Sequence, residues 1–171
     1  MTNEARKISG YKTCIKKNFL SIILPLNYGQ SEATELLIKI KIMNFFKKTI
    51  LPILLATIWI SISEFVRNEF LGKGYWTTHY ENLGLTFPSE PINGALWGIW
   101  SLLFAITIFI ISRKFSLIQT TFLSWFVGFV LMWVVVGNMG VLPLVLLYIA
   151  VPLSLLEAFL ATLIISKLSA N

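Results

Sequence analysis

Four long apolar runs, at 49–71, 95–112, 117–136 and 141–165, constrain this chain more than any other feature. A helix rises 1.5 Å per residue, so about 20 residues cross the roughly 30 Å of a bilayer's hydrocarbon. All four runs are near that length, the second slightly short. Hydrophobic residues make up 56% of the chain and charged residues only 13%, against about 25% charged in a typical soluble domain. A chain of 171 residues cannot bury so much apolar surface within itself, and a bilayer is where the excess belongs. The expected fold class is all-α: an integral membrane four-helix bundle built from two antiparallel transmembrane hairpins, spanning 49–167.

The flanks of the runs resemble membrane interfaces. Tyr75, Trp76 and Tyr80 follow the first run, and Trp97 and Trp100 open the second. Amphipathic rings of this kind favour the headgroup level. Arg113 and Lys114 form the turn between runs two and three, and 137–140 (Gly-Asn-Met-Gly) the turn between three and four. Lys47 and Lys48 precede the first run, and Lys167 follows the fourth. The first loop holds only Lys73, offset by Glu81 and Glu90, and the third has no charge. Every basic cluster falls on one side, which the positive-inside tendency makes cytoplasmic. The expected location is multi-pass in a membrane, of the bacterial plasma-membrane kind, with both termini in the cytoplasm. A rival reading takes Lys47-Lys48 and the apolar stretch behind them as a signal peptide with Ser61 and Ser63 before a cleavage point. Phe65, Val66, Phe70 and Leu71 prolong the apolar stretch past that point and argue against cleavage.

Residues 1–48 fit poorly with the rest. They carry nine bases and three acids, the whole of the formal net charge of +6. A basic arm with no nucleic-acid fold behind it is better placed on anionic lipid than on nucleic acid. The segment 19–26 is too short to span and contains Pro25. Residues 30–46 could form an amphipathic interfacial helix, the alternative being disorder. Met43-Asn44-Phe45-Phe46-Lys47-Lys48 also reads as a natural beginning, so 1–42 could be an extension preceding the true start at Met43. A single cysteine, Cys14, and a single histidine, His79, argue against a disulfide, a metal site or a metal cofactor.

Ionisable residues within apolar runs are costly and are the first functional candidates. Thr57, Ser61, Glu64 and Asn68 are spaced 4, 3 and 4 apart, which places them on one helical face. Arg67 lies three residues beyond Glu64 and can pair with it. Either the group forms a polar path or pocket opening outward, with Glu64 carrying a proton or meeting a cation, or it is a self-satisfied pair near the interface with Arg67 snorkelling outward. A first span starting near 49 puts this group in the outer third of the bilayer. Glu157 lies deeper in the fourth run with no basic neighbour in sequence. Counting back from the turn between runs three and four, Ser124 faces Glu157 at one level. As an acid Glu157 can donate to Ser124 or to a backbone carbonyl, a turn after Pro152. The candidate site is therefore Glu64, Arg67, Asn68, Ser61, Glu157 and Ser124.

Small residues recur on the same two helices: Thr121, Ser124 and Gly128 on the third run, Ala150, Ser154, Ala158 and Thr162 on the fourth. Spacing of this kind permits close helix packing. Gly94 and Gly98 form a GxxxG whose first glycine is expected outside its helix. The loop at 72–93, stiffened by Pro88 and Pro91, is expected either to lie at the interface or to cap the outer mouth, bringing His79, Glu81 or Glu90 near Glu64. No nucleophile elbow, phosphate-binding loop, HExxH or CxxC occurs, so an enzyme is disfavoured. Transport or binding of an ion or small solute is expected, the alternatives being a non-catalytic assembly subunit and, third, a membrane-embedded enzyme. The expected partners are the lipid bilayer and a second copy or another membrane protein.

Overall fold

The computed structural model describes residues 30–170, and side chains within 32–169. Cys14 and the segment 19–26 lie outside them. The chain divides into two compact units, Met1–Asn44 and Phe45–Asn171. Helix α1 covers Gln30–Phe45, all but its last residue in the first unit. Its apolar side chains Leu36, Leu37, Ile38, Ile40 and Ile42 are all exposed. At 100° per residue they spread around the helix axis, so the one-sided face expected of an interfacial amphipathic helix is not present.

The described residues contain no strand, and four helical stretches are long and apolar enough to cross a membrane: Glu32–Asn82, Pro91–Ser112, Leu117–Asn138 and Leu144–Ser169. Within the second unit, helix one comprises α2 (Leu51–Phe65), a π-helical stretch (Val66–Gly72) and α3 (Lys73–Asn82). Helix two is α4 (Pro91–Ser112), which begins on a proline suited to a first turn. Helix three comprises α5 (Leu117–Trp125), a π-helical turn (Phe126–Val130) and α6 (Leu131–Asn138). It starts on a capping box, with Ser116 accepting from the Gln119 backbone and Gln119 from that of Ser116. Helix four is α7 (Leu147–Ala170), led by a 3-10 turn at Leu144–Leu146.

Several expected boundaries move. Helix one continues through Asn82, so the first loop shrinks to 83–90 and 73–82 is helical. Gly84, at φ +70°, follows the end of that helix. Helix two starts at Pro91, which removes the apparent shortness of the second run and places Gly94 inside it. A methyl group on Gly94 or Gly98 would meet nothing within 4 Å, so this GxxxG faces no neighbour in the fold. Gly137 and Asn138 close helix three, and the turn follows them, with Gly140 at φ +72°.

Helix one packs on helices two and four, and helix three packs on the same two. Short connections make successive helices antiparallel. The seams are lined by small residues, with Ala56, Ala105, Ala158 and Ala161 buried beside Ile60, Phe104, Ile108, Phe129 and Ile165. Close approach of this kind is the usual device of membrane helices. Gly128 shows it at one point: a methyl group there would fall 2.5 Å from Phe104 Cε2.

The distribution of polarity is inverted relative to a soluble domain. Glu64, Arg67, Thr121, Ser124, Ser154, Glu157 and Thr162 are buried, while Ile58, Phe70, Leu103, Ile110, Val134 and Tyr148 lie on the outside.

Candidate functional site

The local sequence of helix one supplies two adjacent polar rows. Glu64 and Asn68 are four residues apart on one row, and Ser63 and Arg67 four apart on the next. The first row is satisfied within the helix. Asn68 Nδ2 donates to Glu64 Oε2 at 2.8 Å and to the Glu64 carbonyl at 3.0 Å. Arg67 Nη2 donates to Glu64 Oε1 in an ion pair, so both oxygens of this carboxylate are engaged.

The second row reaches across to helix four. Arg67 Nη1 donates to Glu157 Oε2 at 3.3 Å, and Ser63 Oγ donates to the same oxygen at 2.7 Å. Trp59 Nε1 donates to the Glu157 backbone carbonyl at 3.2 Å. Helix three contributes a ring face, with the Arg67 guanidinium 4.9 Å from the centroid of Phe129, within cation–π range. Three helices thus converge on one guanidinium held between two carboxyl groups.

All three charged residues are removed from the surface: Glu64 is 4% exposed, Arg67 5% and Glu157 0%. Arg67 therefore does not snorkel outward; it turns inward. Glu157 stands thirteen residues from Leu144 and twelve from Ser169. Its partnership with Arg67 puts the centre near the middle of the length of helix four.

Helices one and three depart from regular α geometry at this level, while helix four stays α-helical around Pro152. Arg67 and Asn68 lie in the π-helical stretch Val66–Gly72, Phe129 in the π-helical turn Phe126–Val130, and Pro152 is inside helix four five residues before Glu157. π-helical turns within α-helices occur often at functional sites.

Of the six residues expected to form the site, the structure brings together Glu64, Arg67, Asn68 and Glu157. Ser61 is half-buried and takes no part; the serine that does is Ser63, on the neighbouring row. Ser124 is fully buried, but its hydroxyl is not bonded to Glu157. Ser124 Oγ and Glu157 Oε1 are both left without hydrogen-bond partners. The expected register between helices three and four holds to within a turn, since Trp125 Nε1 donates to Ser154 Oγ at 2.9 Å. Ser63, Trp59 and Phe129 were not legible as site residues, because each is identified only by which neighbouring helix it faces.

The C-terminal end of helix one covers the Glu64 row. Trp76 Nε1 donates to Asn68 Oδ1 at 3.2 Å, and the Trp76 ring packs against Tyr80 and Phe87. Phe87 thus folds the 83–90 loop back over the helix. His79 Nε2 donates to the Gly140 carbonyl at 3.0 Å, tying this end to the turn between helices three and four. Neither His79 nor Glu81 nor Glu90 reaches Glu64.

Among the described residues no group of three His, Cys, Asp or Glu could hold a metal ion. Two surface grooves are apolar. One lies along Trp100, Phe104, Gly128 and Met132, the other along Phe115, Phe122 and Phe126, and neither includes a charged residue of the centre. Compared with protein-family models, with characterised proteins and with solved structures, the chain matches none.

Proposed function

We propose that this chain is a small multi-pass membrane protein that binds or transports an ion or small solute through the Glu64–Arg67–Glu157 centre. Its four helices cross the plasma membrane, with Lys47, Lys48, Arg113, Lys114 and Lys167 on the cytoplasmic side. The inverted polarity supports the crossing, because an exterior of Ile58, Leu103, Ile110 and Val134 suits lipid and not water.

The observation that carries the functional reading is an imbalance. Two carboxyl groups share one guanidinium, and Glu157 keeps an oxygen that is fully buried and unpartnered. A purely structural lock gains nothing from an unsatisfied buried oxygen, which costs free energy. A site that exchanges a ligand needs one. The test is flux through purified, reconstituted protein: an ion or solute should move, and joint replacement Glu64→Gln and Glu157→Gln should abolish the movement. Unchanged flux in that double variant would sink the proposal.

A second reading, an assembly subunit without transport of its own, is favoured by the packing. The centre is enclosed by Ser63, Trp59 and Phe129 and lies outside both grooves described above. Cross-linking in native membranes would then recover a partner protein; recovery of this chain alone would count against it.

A further inference from the structure

Glu64 and Glu157 are not equivalent. Glu64 has both oxygens engaged, by Arg67 and Asn68. Glu157 has one oxygen receiving Ser63 and Arg67, and the other receiving nothing although the residue is 0% exposed. Ser124, from the facing helix at nearly the same level, likewise has a buried hydroxyl without a partner. With both carboxyl groups ionised the centre carries one net negative charge among buried groups, where an uncompensated charge is costly. One additional positive charge completes it.

Coordination chemistry narrows what that charge can be. A bare metal cation needs several oxygen ligands, about six to eight for calcium and six for magnesium. The centre offers one free carboxylate oxygen, because the other three are already engaged by Arg67, Asn68 and Ser63. One oxygen is enough for a proton.

We infer that the centre is a proton-binding site and that Glu157, on Oε1, holds the exchangeable proton. Glu64 is the permanent counter-ion of Arg67. On loading, a proton from water bonds to Glu157 Oε1 and the centre becomes neutral; on release it returns to water and leaves both carboxylates flanking Arg67. Ser63 positions Glu157 by donating to Oε2, which leaves Oε1 as the oxygen available to the proton. This inference rests on the ion-binding reading above and names its ion.

The test is infrared difference spectroscopy of the full chain in lipid nanodiscs, between acidic and alkaline buffers over which helix content is unchanged. We expect a carboxylic-acid carbonyl band in the acidic state that shifts in D2O. It should vanish in Glu157→Gln; in Glu64→Gln, where Arg67 balances Glu157 alone, it should appear only in more acidic buffer than in the wild type. Wild-type protein without such a band would overturn the inference, as would a band lost in Glu64→Gln and kept in Glu157→Gln. So would displacement of the band by sodium at constant pH, which would make the ligand a metal cation. If Glu157→Gln fails to fold, Ser63→Ala decides the matter: Ser63 donates to Glu157 and not to Glu64, so the band should change frequency, and an unmoved band would overturn the inference. Flux measured in parallel separates the two proposals. A titrating band with no flux removes the transport reading and supports proton binding, while sodium flux with no band does the reverse.

Discussion

Helix two and helix one are both long and apolar, yet they use their polar residues in opposite ways. In helix two Ser101, Thr107 and Ser112 each donate to a backbone carbonyl of their own helix, at 2.9, 2.9 and 2.8 Å. No charged residue interrupts it, and its 22 residues are regular α-helix throughout. In helix one Ser63 and Arg67 reach another helix, and the backbone widens to π geometry over Val66–Gly72. The contrast teaches that a polar residue in an apolar helix is inexpensive when its own turn satisfies it. Where it must be satisfied across a seam, side chains and backbone on several helices are committed together.

The largest effect that could break this comparison is at Arg67. Replacing it with Met leaves two buried carboxyl groups without their shared cation. We expect a loss of about 3–5 kcal/mol, read from unfolding of the detergent-solubilised protein; a loss below about 1 kcal/mol would mean that the ion pairs are incidental. Next comes a paired glycine test. Gly128→Ala drives a methyl group into Phe104, whose ring is backed by Trp100 and Phe129, and should cost about 1–3 kcal/mol. Gly98→Ala on helix two meets open space and should be neutral or stabilising by up to about 1 kcal/mol. Equal effects at the two sites would contradict the packing described.

Smaller still is the serine pair. Ser63→Ala removes a donor to Glu157 and should cost about 1 kcal/mol, whereas Ser61→Ala should change stability by less than about 0.5 kcal/mol. The reverse order would place the wrong row of helix one toward helix four. Trp125→Phe, which removes the donor to Ser154, should cost about 0.6 kcal/mol, an ordinary value for one hydrogen bond between membrane helices.

The four helices were legible in the sequence because length and hydropathy alone decide which segments suit a bilayer. So were Glu64, Arg67, Asn68 and Glu157, because charge within an apolar run stands out whatever its partner. Partnership was harder to read. Spacing along helix one linked Thr57, Ser61, Glu64 and Asn68 as one face, but Thr57 returns its hydroxyl to Ile53, Ser61 is idle, and the row that matters for Glu157 is Ser63 and Arg67. Periodicity gives the faces of a helix without saying which neighbour each face meets. The helical continuation through Lys73–Asn82 was hidden for a related reason: its Thr, His, Tyr and Asn residues are poor in apolar signal, and tertiary ties hold it, Trp76 to Asn68 and His79 to the Gly140 carbonyl.

The central claim is that Arg67 joins helix one to Glu157 of helix four, and a double-mutant cycle tests it most directly. Unfolding free energies would be measured for wild type, Arg67→Met, Glu157→Gln and the double variant in one detergent. Residues sharing a buried ion pair should show a coupling energy of about 1–3 kcal/mol, the double variant being less damaged than the two singles together. Additivity within about 0.3–0.5 kcal/mol would mean that the two residues do not meet, and would contradict the centre.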